Sequence, residues 1–182
     1  MKSPYADPSY RSTEERRTLA ILVDNEPGVL ARISGMFSGR GYNIESLTVS
    51  ETEHEKHLSR ITVVTRGTPQ VLDQIKAQLE RLVPVHKVVD LTRSIDSMER
   101  ELAMVKVRQD DKATRSEYRM EALRLAAAFG AKSIDATLNS FIFEISGSSD
   151  EVERFIKMMA HIGLVEVART GVAAIARGAD GL

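Results

Sequence analysis

The stretch Leu19-Ala-Ile-Leu-Val-Asp-Asn-Glu-Pro-Gly-Val-Leu-Ala-Arg-Ile33 decides how the rest of this chain is read. Residues 18–24 are a short apolar run of strand length. Asn25-Glu-Pro-Gly28 follows as a polar turn, and then Val29, Ile33 and Met36 recur at helical spacing, with Leu30 and Phe37 widening the stripe. Gly39 and Gly41 can supply the positive φ angles that end such a helix over residues 28–39. The segment Gly41-Tyr-Asn-Ile-Glu-Ser-Leu-Thr-Val49 then opens a second strand. This reading sets the backbone N–H groups of a helix start beside two asparagines, Asn25 and Asn43.

Working outward, residues 43–50 and 58–66 read as strands rich in β-branched side chains, joined by the polar loop Glu51-Thr-Glu-His-Glu-Lys-His57. Pro69 suits the first turn of a second helix whose core face is Leu72, Ile75, Leu79 and Leu82. Pro84 stops it, and 85–91 is a last strand. The order β-α-β-β-α-β is the ferredoxin-like plan. The pattern then recurs: strand 101–107, alanine-rich helix 116–129 closed by Gly130, a hairpin of 131–138 and 141–146 around Asn139-Ser140, helix 150–162 with Ser148 or Ser149 as N-cap, and strand 164–168. A shift of 80 aligns Gly67 with Gly147 and carries Leu72, Ile75, Leu79 and Leu82 onto Val152, Phe155, Met159 and Ile162. Met158, Met159 and the alanines 126–128 read as core or helix-stabilising residues. The expected fold is α+β, two ferredoxin-like βαββαβ domains. Residues 1–17 are expected as a loose arm, 18–93 as the first domain, 99–178 as the second and 179–182 as a Gly- and Ala-rich tail, with the boundary in polar residues 93–98.

Composition removes several classes of function. The net charge of −1, with basic residues scattered among acids, offers no positive field for nucleic acid. Without cysteine there are no disulfides, no thiolate catalysis and no Cys-based zinc or iron–sulfur site. The Pro-containing polar start holds no secretory apolar core, and no apolar run is long enough to span a membrane. A cytoplasmic protein is expected.

Catalytic patterns are missing too. His54 and His57, with Glu53 and Glu55, share an acidic loop that could hold a metal, but the spacing fits no rigid ligand template. His86 alternates with apolar residues and reads as surface-facing. Ser38-Gly-Arg-Gly41 follows a helix instead of preceding one, so it is no phosphate loop, and no GxxxxGK[ST] or GxGxxG occurs. The residues favour binding. Free amides of Gly28, Val29 and Leu30 with the helix dipole suit a carboxylate, and Asn25 and Asn43 offer both donors and acceptors to a zwitterion. The same residues also fit a plain turn, with Asn25 capping the helix and Gly28 serving backbone geometry alone.

Asn25-Glu-Pro-Gly-Val-Leu30, Gly39-Arg-Gly-Tyr-Asn-Ile-Glu-Ser-Leu-Thr-Val49, Leu58-Ser-Arg-Ile61 and Val165-Glu-Val-Ala-Arg-Thr-Gly171 resemble the small regulatory subunit of acetolactate synthase (acetohydroxyacid synthase), whose first domain is an ACT domain. The resemblance spans about residues 18–178. It implies a regulatory subunit with no active site of its own, paired through its ACT domain with a second copy. Valine or a related branched-chain amino acid would bind at that interface, with Asn25, Gly28, Val29 and Leu30 from one chain and Asn43 and Ile44 from the other. It implies a catalytic large-subunit partner that makes acetolactate in branched-chain amino acid biosynthesis, using thiamine diphosphate, Mg and FAD that belong to that partner. The small subunit would activate it and confer feedback inhibition. The rival reading is a stand-alone ACT-type amino-acid sensor acting on a different partner.

Overall fold

The computed structural model describes residues 14–53, 57–93, 96–111, 114–179 and 181, apart from the side chains of 53 and 115. It divides into two compact units, Met1–Ser97 with Ala176–Leu182, and Met98–Ile175.

The first unit runs β1 (Glu15–Asp24), α1 (Val29–Ser38), β2 (Ile44–Glu53), β3 (Leu58–Gly67), α2 (Pro69–Leu79) and β4 (Val85–Asp90). The sheet order is β2-β3-β1-β4, every pair antiparallel. This is the ferredoxin-like order expected. Alternate residues of β1, namely Leu19, Ile21 and Val23, meet Val29, Ile33, Met36 and Phe37 of α1 and Leu72, Ile75 and Leu79 of α2 in one buried cluster. The period of 2 in the strand and of 3.6 in the helices therefore converge on the same core. Thr68 caps α2 by accepting from the Val71 N–H, with Pro69 at its first turn.

The stretch expected as a loose arm, 1–17, overlaps the first strand. β1 starts at Glu15, and Arg17 is 1% exposed. Its Nη1 lies 2.5 Å from Asp73 and 3.4 Å from Asp90, and its Nη2 lies 3.7 Å from Glu15. Arg93 in turn donates to both oxygens of Glu15, at 3.0 and 2.8 Å. The charged run Glu14-Glu15-Arg16-Arg17 has no apolar period, so its strand is visible only through these tertiary partners. β2 also outlasts the expected strand, reaching Glu53. His54 and Glu55 lie outside the described residues. α2 ends at Leu79, and Leu82 packs on the core from a turn beyond it.

The second unit contains most of β5 (Ser97–Arg108), then α3 (Arg115–Ala128), β6 (Lys132–Ala136), β7 (Ser140–Gly147), α4 (Ser149–Ala160), β8 (Leu164–Arg169) and most of β9 (Ala173–Ala176). Its order β6-β7-β5-β8 repeats that of the first unit. Val152, Phe155 and Met159 are fully buried, as Leu72, Ile75 and Leu79 are, so the shift of 80 superposes core on core. Met158 faces solvent, and of the three alanines only Ala126 is buried. Ser148 and Glu151 form a reciprocal capping box on α4.

Two features differ from the sequence reading. β5 begins at Ser97, inside the stretch read as a polar boundary. β9 lies beyond 164–168, the last strand expected, and pairs with β5. Its small side chains hide a period-2 pattern in which Val172 and Ala174 are buried while Ala173 and Ile175 are exposed.

Each unit has its own matching pair of backbone bonds at the end of its first strand. Asp24 N–H donates to Pro84 O at 2.9 Å and Asn25 N–H to His57 O at 2.7 Å; Arg108 N–H donates to Gly163 O at 2.8 Å and Gln109 N–H to Asn139 O at 2.9 Å. At Gly163 (φ 121°) a Cβ would lie 2.3 Å from the Arg108 carbonyl oxygen, so only glycine permits this approach.

A buried cation whose partner is also buried costs most when one of the two is removed. Arg17→Met leaves the buried Asp90 carboxylate with the Thr92 and Arg93 backbone N–H groups but without its cation, and should lower stability by about 3 kcal/mol, read from urea unfolding. Asp73 is held below its ordinary value of 3.8, chiefly by the hydrogen bond from Arg17. Its folded value lies under the unfolded one, so its contribution is complete above pH 3.8 and lost as pH falls through the folded value. Asp73→Asn should therefore flatten the loss of stability below about pH 4; an unchanged acid limb contradicts the pairing.

Candidate functional site

The turn between β1 and α1 is fixed from two sides. The Asn25 N–H bond to His57 O ties it to the chain that enters β3, and His86 Nε2 on β4 lies 2.6 Å from Asp24 Oδ1. His86 is surface-facing as expected, but its partner lies 62 residues away and no periodicity reveals it. Gly28 occupies the N-cap position of α1 with φ 89° and ψ −7°, and no side chain caps the helix. Asn25 is therefore not the cap. A left-handed N-cap costs a β-carbon residue about 1–2 kcal/mol, which accounts for glycine here.

The expected trio of free amides is reduced to two. Val29 N–H makes a long 3.4 Å bond to Glu26 O, while Gly28 and Leu30 N–H have no partner among the described residues. These amides stand at the positive end of the helix dipole, with Asn25, Glu26, Pro27 and Gly28 all exposed. The Val29 side chain is buried in the core, so only its backbone faces the turn. Leu30 is 43% exposed and leaves an apolar surface beside the amides.

The second half of the expected site lies elsewhere. Gly41 (φ 69°) turns the chain after α1, whereas Gly39 is right-handed with φ −64°. Asn43 then exposes its side chain, and its carbonyl accepts from Thr65 Oγ1 at 2.6 Å. Ile44 packs partly on the core. The register locates both ends: Asp24 pairs with Leu58, and Ile44 pairs with Thr65. Seven residues of β3, from 58 to 65, separate them, which is about 24 Å at strand rise. Asn25 and Asn43 are thus not neighbours within one chain, contrary to the first reading of the sequence.

β2, which carries Asn43 and Ile44 at its start, is an outer strand of its sheet. Val49 on it is 45% exposed, and Thr48 Oγ1 is buried without a hydrogen-bond partner. An outer strand offers unpaired backbone groups to another chain. Among the described residues no cluster of three or more His, Asp or Glu could hold a metal, and no helix is long and apolar enough to cross a membrane. The amides at the α1 start can receive an anion.

Comparison with known proteins agrees with this architecture. Residues 19–87 match the AHAS small subunit-like ACT domain, and residues 100–178 match the family described as small subunit of acetolactate synthase. A probable acetolactate synthase small subunit from Archaeoglobus fulgidus is 44% identical over 163 residues, covering 90% of this chain and 98% of that one. The acetolactate synthase small subunit of Haemophilus influenzae is 40% identical, covering 90% and 96%. The crystal structure of the acetolactate synthase small subunit from Thermotoga maritima superposes with a TM-score of 0.78 at 34% identity, covering 91% of this chain and 99% of that one. A ferredoxin-like first unit with an uncapped, glycine-started helix and a second unit of the same plan thus belong to a known lineage: this chain is a member of the acetolactate synthase small-subunit family, and its first domain is an ACT domain.

Proposed function

We propose that this chain is the regulatory subunit of a cytoplasmic acetolactate synthase, raising the activity of a catalytic large subunit and conferring feedback inhibition by valine. The observation that carries the reading is the register: Asp24 and Ile44 pair with β3 residues seven steps apart, about 24 Å along the strand, so the Asn25 turn and Asn43 lie at opposite ends of the sheet. A small ligand that touches both must take them from two chains. On this reading two first units pair through their outer β2 strands. Asn25 and the amides of Gly28, Val29 and Leu30 receive the effector from one chain, and Asn43 and Ile44 close over it from the other.

The roles of the residues follow from their exposure. The free amides of Gly28 and Leu30 hold the carboxylate, and the exposed Leu30 side chain meets the branched alkyl group. Asn43 reads the ammonium or carboxylate through its side-chain amide, since its carbonyl is already engaged by Thr65. Inhibition requires that valine bind the inhibitory arrangement of the dimer more tightly than the activating one. A coupling of about 1–3 kcal/mol is ordinary for such linkage. Leucine and isoleucine differ from valine by one methylene, worth about 1–3 kcal/mol in an apolar pocket, so their response is weaker. Thiamine diphosphate, Mg and FAD belong, on this reading, to the catalytic subunit.

The test is to mix the chain with its catalytic subunit, measure acetolactate formation and titrate valine. A rise in activity followed by valine-dependent inhibition is expected. Gly28→Asp puts a carboxylate where the effector's own should sit. Activation should survive and inhibition should vanish, while Gly28→Asn, which tolerates the left-handed N-cap, controls for backbone strain. Full valine sensitivity in Gly28→Asp overturns the pocket. No stimulation by the unmodified chain overturns the partner.

A further inference from the structure

At the end of β5, beside the backbone bonds that match those of the first unit, the second unit opens a shallow cleft whose space of about 230 Å³ is largely open to solvent. Its floor is apolar, made by Val107, Ala122, Phe141 and Ile162, all buried. The enclosed part is narrow, about the size of one water or one methyl group.

The rim is cationic. Arg119 lies with Cζ 4.4 Å from the centroid of the Phe141 ring, and its Nη1 donates to the carbonyls of Thr137 at 2.5 Å and Leu138 at 3.2 Å. These contacts fix the guanidinium plane, and its Nε and Nη2 have no hydrogen-bond partner among the described residues. Arg108 spends Nε on Asp110 at 2.7 Å, and its two terminal nitrogens have no hydrogen-bond partner among the described residues. The Tyr118 hydroxyl is likewise without a partner. None of the described residues lining the cleft is a carboxylate; Asp110, next to the rim, accepts from both Arg108 Nε and Asn139 Nδ2.

Two guanidiniums over an apolar floor attract an anion with an apolar tail and repel an ammonium. The first unit's turn offers backbone amides at a helix start, whereas this cleft offers guanidiniums. We propose that this cleft binds a short-chain carboxylate lacking an ammonium group. Its carboxylate sits at the rim on Arg119 and Arg108, with the Tyr118 hydroxyl as a further donor, and the end of its tail occupies the narrow floor beside Phe141. The stacking on Phe141 leaves Arg119 little freedom to lose on binding, which favours affinity over what a mobile surface arginine gives. The proposal stands on the second unit alone and does not depend on valine binding to the first.

The probe is butyrate, titrated into the full chain at constant ionic strength and followed by backbone amide NMR. Saturable shifts are expected at Tyr118, Arg119, Ala122 and Phe141, with none there on adding butylamine. Arg119→Gln should weaken butyrate binding by at least about tenfold. Because Arg119 also ties down the β6–β7 turn, Arg108→Glu, at an exposed position, is the second variant and should weaken binding in the same sense. Shifts that do not saturate, that appear equally with butylamine, or that persist unchanged in Arg108→Glu overturn the proposal.

Discussion

The antiparallel ladder between β1 and β3, Glu15–Asp24 against Gly67–Leu58, is the constraint on which the rest of the first unit depends. It places Leu19, Ile21 and Val23 on the face that both helices cover, so the core follows from one register. A slip of one residue would turn that entire set to the opposite face. The same ladder, continued from β3 into β2, sends the Asn25 turn and the Asn43 start to opposite ends of the sheet. The geometry of a single chain therefore supplies two half-sites. The family relationship supplies the reason to ask which second chain joins them.

Much of this was legible in the sequence. Apolar residues at period 3.6 located α1, α2 and α4; Pro69 and Ser148 marked the starts of α2 and α4, and Gly130 the end of α3. The repeated order of elements gave two domains of one plan. Features that depend on long-range partners were not legible. Arg17 reads as part of a polar arm until Asp73 and Asp90 are brought beside it, and His86 acquires Asp24 only through the pairing of β1 with β4. β9 escaped because alanine carries too little apolar surface for its alternation to stand out. The candidate site was legible as a set of residue types. Its spatial division was not, because adjacency of Asn25 and Asn43 is a property of register, which a turn motif does not encode.

The second unit repeats the first in its core and in the two backbone bonds at the end of its first strand, but the side chains around that end are different. The first has Asn25, Gly28 and free amides on an uncapped helix. The second has Arg108, Gln109 and Arg119 over buried apolar residues. A shared backbone with changed charge is a common route to changed ligand selection, since specificity lies in the groups placed on a fold and not in the fold itself.

Complementation between variants tests the divided site most directly. Gly28→Asp damages the half-site at the α1 start, and Asn43→Ala damages the other, weakening binding by about 1–3 kcal/mol. A mixed dimer of the two variants contains one pocket with both lesions and one with neither. Calorimetric titration of valine into the exchanged mixture should show a tight phase of unmodified affinity that neither variant shows alone. If subunit exchange is complete and no tight phase returns, the two half-sites do not serve one ligand across two chains.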